Sequence, residues 1–357
     1  MPSSTHISTV GEFGLVDRLR EIVESPAAEA APPSDLLIGI GDDAALFRPR
    51  AGRGLLLTAD AFVEGIHFDL AYTSFLHLGW KTIAANLSDI AAMGGEPGYA
   101  IVTLALPSKI SVEMMEDLYR GARHACTDYG CRIVGGDTSA SLGNMMISIA
   151  MTGDVEIGKE LRRDAARPGE LLCVSGTCGG AHAGLRILAR EKRRFLESGA
   201  RDGFQPNLEP YKEVVERHLV PRPRFDVARA LVDVGVRAAI DVSDGVASDA
   251  RRIAEASHVG LEVVGSSLPL LASTRAVAAK FAENPAEYAL FGGEDYEILF
   301  AVADDGVYRL LERGIDITVI GRIVDAKNGL TFITTEGERV ALPPRGWDHF
   351  MATGNAS

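Results

Sequence analysis

Apolar residues recur along this chain at two periods, and the switches between those periods divide it into helices and strands. Phe13, Val16, Leu19 and Val23 stand at helical spacing, which predicts a short amphipathic helix over 11–24 before the Ala/Pro-rich linker 26–33. Ile38-Gly39-Ile40 then predicts a strand running into the turn Gly41-Asp42-Asp43-Ala44, and a second strand is expected over 54–60. Leu76, Trp80, Ile83, Leu87 and Ile90 step by four and three, the stripe of a buried helix ending at Gly94-Gly95. Thr82, Asn86 and Asp89 share its adjoining face. That face carries short polar residues where a solvent-facing helix carries Lys and Glu, so Asp89 is expected to point into a site. A strand over 99–106, a helix over 111–129 and strands over 132–134 and 145–151 complete the first half.

The pattern lapses over 157–169 in a charged run closed by Pro168-Gly169, and the domain boundary is placed there, giving domains 1–156 and 157–357. The second half opens with a strand over 170–174 and the turn Ser175-Gly176-Thr177-Cys178-Gly179-Gly180. Such a turn either binds an anion through its amides or simply uses glycine to enter a helix. A helix over 181–190, a charged helical insertion over 190–203, a helix to Gly235, a strand before Asp241, a helix over 246–256 and a strand at 298–300 follow. Strands outnumber those of a simple βαβ alternation, so the expected fold class is α/β in α+β layers and not a doubly wound parallel sheet.

The carboxylates fall where this pattern turns. Asp42 and Asp43 follow the first strand, Asp60 follows Leu55-Leu56-Leu57-Thr58-Ala59, Asp137 follows Gly135-Gly136, and Asp241 and Asp244 follow Ala238-Ala239-Ile240. Four strand ends are thus expected to deliver aspartates. Adjacent carboxylates repel, and a bound divalent cation, read here as Mg²⁺, is the reason to hold them together. Glu294 follows two glycines in the same way. His67, in the loop after the second strand, is either a local cap or a ligand-facing group.

Composition narrows the classes of function. The 357 residues, 46% hydrophobic and 24% charged, describe an ordinary globular chain of about two domains. The formal charge of −13 argues against nonspecific binding to nucleic acid or anionic membrane. No stretch reaches the ~20 apolar residues of a membrane span, and residues 1–10 lack a signal-peptide core, so a cytoplasmic enzyme is expected. Cys126, Cys131, Cys173 and Cys178 form two C-x₄-C pairs, but they sit in helical and strand patterns without a histidine-rich partner, and are expected to be reduced structural thiols.

Two motifs mislead. Gly39 to Ala44 fits the dinucleotide fingerprint formally, yet sets two aspartates where a pyrophosphate belongs. Gly153 to Glu160 nearly fits a P-loop, but ends in Glu160 where a hydroxyl is required.

Taken in order, Gly11-Glu12-Phe13, Gly41-Asp42-Asp43-Ala44, Asn86-Leu87-Ser88-Asp89-Ile90-Ala91-Ala92-Met93-Gly94, Gly135-Gly136-Asp137, Asp241-Val242-Ser243-Asp244-Gly245 and Gly292-Gly293-Glu294-Asp295-Tyr296-Glu297 resemble the thiamine-monophosphate kinase family. The wider superfamily includes aminoimidazole ribonucleotide synthetase, selenophosphate synthetase and a hydrogenase-maturation factor. The opening Gly-Glu-Phe, the Asn-Leu-Ser-Asp helix and the closing Gly346-Trp347-Asp348-His349-Phe350 favour the kinase. The resemblance implies an N-terminal α/β domain that forms a barrel with the partner of a homodimer, a C-terminal α/β sandwich, and ATP with several Mg²⁺ ions in the cleft between domains. It implies Asp43, Thr58, Ala59, Asp60, Asp89, Asp137, Asp241 and Asp244 as metal ligands, Ala59 through its carbonyl. It further implies ATP contacts from Gly136, Asp137, Arg163 and Ser243, and thiamine monophosphate contacts from His67, Glu294 and Trp347.

The implied chemistry suits these residue types. A phosphate monoester acceptor has a second pKa of about 6 and needs no protein base. Its obstacle is charge, since two unit anions ~4 Å apart repel by about 4 kcal/mol at an effective dielectric of ~20. Metal ions remove that repulsion, and aspartates hold the metal ions. Arg163 would offer a planar fork to phosphate, Trp347 a face to a cationic ring, and Glu294 either a countercharge or an acceptor for an amine. Two other readings compete: a synthetase of the same superfamily, and a noncatalytic nucleotide-binding dimer.

Overall fold

The structure, a computed structural model, describes residues 5–24, 35–38, 40, 45–199 and 206–344. The Gly41–Ala44 turn with Asp43, the linker 26–33, the side chain of Phe13 and the segment holding Trp347 lie outside the described residues. Contacts divide the chain into two compact units, one reaching Ile90 and resuming over Gly95–Ile157, the other taking Ala91–Gly94 and continuing from Gly158.

The first unit comprises α1 (Ile7–Glu24), β1 (Leu36–Ile38), β2 (Leu46–Phe47), β3 (Arg53–Val63), α2 (Phe75–Ala92), β4 (Glu96–Leu106), α3 (Val112–Tyr129), β5 (Arg132–Ala140) and β6 (Met146–Glu156). Strands β3-β6-β4-β5 form a four-stranded sheet, antiparallel except for the β4–β5 pair. Alternation along the strands makes its two faces unlike. Val102, Leu104, Ile147, Ile149 and Met151 are fully buried on one face, whereas Leu55, Leu57 and Ile101 stand 60%, 75% and 43% exposed on the other.

Helices α2 and α3 cross in backbone contact. A Cβ on Gly79 would lie 1.9 Å from the Leu118 carbonyl oxygen, and one on Gly121 1.9 Å from that of Leu76. This crossing corrects the expected stripe of α2: Leu76 meets α3 with its backbone, so its side chain is 39% exposed, while Ile83, Leu87 and Ile90 are buried as expected. In α1 the packed residues are Leu15 and Leu19, and Val16 is exposed. The helix starts at Ile7, bends at Gly11 with φ 71°, and turns its 15/19 edge inward.

The second unit comprises β7 (Leu171–Ser175), α4 (Gly180–Ser198), α5 (Lys212–Leu219), α6 (Phe225–Val234), β8 (Ala238–Asp241), α7 (Val246–Ser257), β9 (Gly260–Val264), α8 (Ala272–Phe281), α9 (Pro285–Phe291), β10 (Ile298–Val302), α10 (Asp304–Glu312), β11 (Ile317–Val324), β12 (Leu330–Ile333) and β13 (Arg339–Ala341). Its seven-stranded sheet runs β13-β12-β9-β11-β7-β10-β8, parallel only between β12 and β9. Leu172, Val174, Ile240, Leu261, Val263 and Leu299 from the sheet share one core with Val246, Ala250 and Ile253 of α7. Mixed, mostly antiparallel layers are what the surplus of strands led us to expect. The helical insertion expected over 190–203 is the continuation of α4, which runs to Ser198. Helix α4 continues through the charged stretch because Glu191, 5% exposed, accepts from Arg190 and Arg194 on the same helix.

All four cysteines are free and buried. Among the described residues no helix is long and apolar enough to cross a membrane.

Candidate functional site

In the first unit, Thr58 and Asp60 project from the face of β3 that continues into the buried Ile149 and Val102 of the neighbouring strands. Asp89 reaches that face from α2, where the Thr58 hydroxyl donates to its Oδ2. Burial, and then the Asp89 charge, push the Asp60 carboxyl up to about 7. Two carboxylates are therefore held together against their own repulsion, which is the arrangement expected of a cation site. Among the described residues no three His, Cys, Asp or Glu side chains stand close enough to hold a metal by themselves. A pair of carboxylates with a hydroxyl, all hard oxygen donors, nevertheless fits Mg²⁺, which commonly takes one or two carboxylates and completes its shell with water and substrate phosphates.

Two expectations about strand ends are corrected here. Asp60 lies inside β3 and Asp137 inside β5, and among the described ones only Asp241 closes its strand. The register sets Asp137 opposite Thr103, Ser148 and Ala61, so Asp137 faces the open side of the sheet, away from Asp60. Ala59 shares that open side, opposite Ala150. Gly136 and Asp137 line a cavity of about 850 Å³ there, with Tyr119, Thr103, Thr138 and Leu57. Gly136 is obligatory, because its Cβ would lie 2.1 Å from the Val102 carbonyl oxygen. His67 accepts the Val63 amide on Nδ1 at 3.1 Å, so the neutral ring carries its hydrogen on Nε2.

In the second unit the two remaining motifs interlock. Glu294 N–H donates to the Ser243 carbonyl at 2.8 Å and Tyr296 N–H to that of Val242 at 2.9 Å. The loop adopts left-handed backbone at Gly293 (φ 68°), Glu294 (φ 60°) and Tyr296 (φ 51°), a concentration of unfavourable conformations typical of functional loops. A Cβ at Gly293 would lie 2.5 Å from the Ser243 oxygen. Gly293→Ala is thus expected to cost about 2 kcal/mol or more and to displace Glu294, seen as a lower denaturation midpoint.

Asp241 is 2% exposed at the end of β8. Asp244 is paired with Arg252, and its N–H donates to Asp249 at 3.1 Å. Asp249 is fully buried; burial first, then the charges of Asp241 and Asp244, push its carboxyl well above the usual range. Sequence reasoning passed over Asp249, although its place one turn after the Asp-Gly turn marks it. Arg163 is exposed, and its carbonyl accepts the Ser257 hydroxyl. The turn at 175–180 is not an anion site. Its Gly179 and Ala181 amides donate to Asp295 at 2.6 and 3.1 Å, so the chain supplies its own anion at the start of α4.

Known proteins resemble this chain in sequence and fold. The family described as AIR synthase related protein, N-terminal domain, matches residues 41–155, and its C-terminal domain matches 167–333. Thiamine-monophosphate kinase of Aquifex aeolicus (strain VF5) is 35% identical over 345 residues, covering 96% of this chain and 99% of the relative. The crystal structure of thiamine-monophosphate kinase from Stenotrophomonas maltophilia K279a superposes with a TM-score of 0.75 at 34% identity, covering 92% of this chain and 98% of that one. The structure of AaThiL complexed with AMPPCP and TMP gives 0.73 at 34% identity, over 97% and 99% of the two chains. With its motifs, fold and near-complete alignment in agreement, the chain belongs to the AIR synthase-related family and, within it, to the thiamine-monophosphate kinases.

Proposed function

We propose that this protein transfers the γ-phosphoryl group of ATP to the phosphate of thiamine monophosphate, forming thiamine diphosphate and ADP. The observation that carries the reading is the Asp60–Asp89 pair, with the Thr58 hydroxyl donating to Asp89 and the Asp89 charge acting on Asp60. The complex of a 34% identical relative with AMPPCP and TMP supports the choice of reactants.

Thr58, Asp60 and Asp89 would hold one Mg²⁺; Asp43, Asp241, Asp244 and the Ala59 carbonyl would be further ligands, and Asp137, on the other face of the sheet, would serve a separate ion. The bound ions supply charge neutralisation for the two phosphate groups. The acceptor phosphate is already largely dianionic at neutral pH, so no residue of this chain need remove a proton. Gly136 and Asp137 bound the cavity in which nucleotide would sit, and Ser243 and Arg163 would bind its phosphates. Glu294 and Trp347 would hold the thiamine ring system. His67 would offer its Nε2–H to the monophosphate, its Nδ1 accepting from the Val63 amide. His67→Ala should raise KM for thiamine monophosphate more than KM for ATP. An unchanged KM would leave His67 as a cap of its own loop.

The exposed face bearing Leu55, Leu57 and Ile101 supports a homodimer in which this sheet packs against its copy. A single 38.0 kDa species in sedimentation would overturn that part. The activity itself is tested by incubating the protein with ATP, Mg²⁺ and thiamine monophosphate and resolving the products. Thiamine diphosphate formed in step with ADP is expected, and ADP without it would refute the assignment.

A further inference from the structure

We propose that the first unit carries a second ligand site, an arginine-lined cavity that binds a small phosphorylated molecule without a metal ion. The inference does not depend on the reactants assigned above. The cavity holds about 500 Å³, within the roughly 300–1,000 Å³ of small-molecule sites. It lies where β3, β4 and β5 begin and β6 ends, beside the last turns of α3. Arg48, Arg50, Arg53, Arg123 and Arg132 line it, against Asp35 and Asp154. In a chain with 36 basic and 49 acidic residues, that local excess of positive charge runs against the trend.

These guanidinium groups fall into two sets. Arg50 and Arg53 are neutralised by the protein: Arg50 meets Asp154 at 2.6 Å and Glu96 at 2.9 Å, and Arg53 meets the same two carboxylates. Asp35, the other acid of the wall, accepts the Tyr99 hydroxyl at 2.8 Å. Arg48 is exposed to water. Arg123 and Arg132 are half-buried, yet among the described residues neither reaches a carboxylate at ion-pair distance. The Arg123 Nε is buried with no hydrogen-bond partner at all. A charged donor buried in this way costs stability, and an occupant that accepts from it removes that cost.

The chemistry of the wall selects the class of occupant. Two unpaired guanidinium groups match the charge of a phosphate monoester, about −1.5 to −2 at neutral pH, and their planar forks match its oxygens. Phe47 and Tyr99, with ring centroids 5.0 Å apart, add an apolar wall for a compact organic part. The same two rings, with Ile133 and Thr152, also border the cavity of Gly136 and Asp137, so the cavities are neighbours of opposite chemistry. Aspartates repel phosphate until metal ions are bound, whereas unpaired arginines attract it directly. Dependence on Mg²⁺ therefore separates the two sites.

Isothermal titration of the metal-free full chain with phenyl phosphate and with inorganic phosphate tests this. Leu55, from the face assigned to the homodimer, is part of the wall, so the native assembly is titrated. One phenyl phosphate is expected to bind per chain without Mg²⁺, and Arg123→Met and Arg132→Met should each weaken it about tenfold or more. Methionine keeps an apolar stem and no ion pair is lost, so Arg123→Met should melt no lower than the wild type. Binding of ADP with Mg²⁺ should stay within about twofold in both variants. Failure of both phosphates to bind the metal-free wild type, undiminished binding to both variants, or benzoate binding as tightly as phenyl phosphate would each overturn the proposal. Equal weakening of ADP binding would make the cavity part of the nucleotide site, and a lower melting temperature for Arg123→Met would show that its guanidinium serves the fold; either result overturns it too.

Discussion

Asp60→Asn is expected to lower turnover by about 10²–10³-fold and, measured without metal at pH 8, to raise the melting temperature above that of the wild type. The two effects have one cause. Asp60 is held beside Asp89 in a buried site, and its carboxyl is pushed up to about 7 by burial and by that neighbour. A carboxyl whose pKa is higher folded than unfolded keeps a proton that the unfolded chain has already lost. Wild-type stability must therefore fall as pH rises from about 4 through about 7. At 1.36 kcal/mol per pH unit the loss is at most about 4 kcal/mol. Asparagine never ionises and escapes that loss, so the two proteins should converge near pH 4 and separate above it. The same substitution removes an anionic ligand, so Mg²⁺ with nucleotide should raise the melting temperature of the wild type and not of the variant. A variant less stable than the wild type at pH 8, or one retaining near-wild-type turnover, would rule out the Asp60–Asp89 pair as the cation cradle.

Glu297→Ala is expected to destabilise the protein by about 3–5 kcal/mol and to abolish detectable activity at the temperature where the wild type works best. Its side chain is 2% exposed and accepts from Ser175 Oγ at 2.6 Å, Arg217 Nη1 at 3.1 Å and Arg224 Nη1 at 2.5 Å. Burial alone would lower the pKa of Arg224, yet bonding to Asp226 and the Glu297 charge raise it, so the guanidinium stays charged. Removing the carboxylate leaves Arg217 and Arg224 facing a cavity, Arg224 with only Asp226 as countercharge, and leaves the Ser175 hydroxyl with the Ile298 amide as its remaining partner across β7 and β10. It also frees the loop three residues after Glu294. Glu297→Gln keeps the shape and the Ser175 bond and should cost roughly half as much. A denaturation midpoint for Glu297→Ala close to that of the wild type would show that the arginines find other partners and that the network is not a structural anchor.

How legible this site was differs residue by residue. Asp89 could be read because helical periodicity separates the apolar stripe of α2 from the face holding Thr82, Asn86 and Asp89, and that separation is local. Thr58 and Asp60 could be paired because residues two apart share a strand face. Asp137 looked equivalent to Asp60, but the β4–β5 and β3–β6 registers put the two on opposite faces. Strand ends were misplaced for a related reason. β5 continues through polar residues to Ala140 and β3 to Val63 because their partners continue, although the apolar run has stopped. The elements β9, α8, α10, β11, β12 and β13 went unassigned, their patterns being short and only meaningful once stacked in the seven-stranded sheet. Arg217, Arg224 and Asp249 had no motif to announce them. Their meaning lies in the carboxylates they meet, up to 80 residues away in the case of Arg217 and Glu297.

By itself the sequence determined the acidic motifs, their order, the helical faces and the mixed layers, because each depends on spacing within a few residues. The tertiary structure decided which carboxylates stand together, which face of the first sheet stays open, and which buried side chains hold the Glu294 loop. Those are matters of strand register and helix crossing, set by contacts between distant segments that no local pattern encodes.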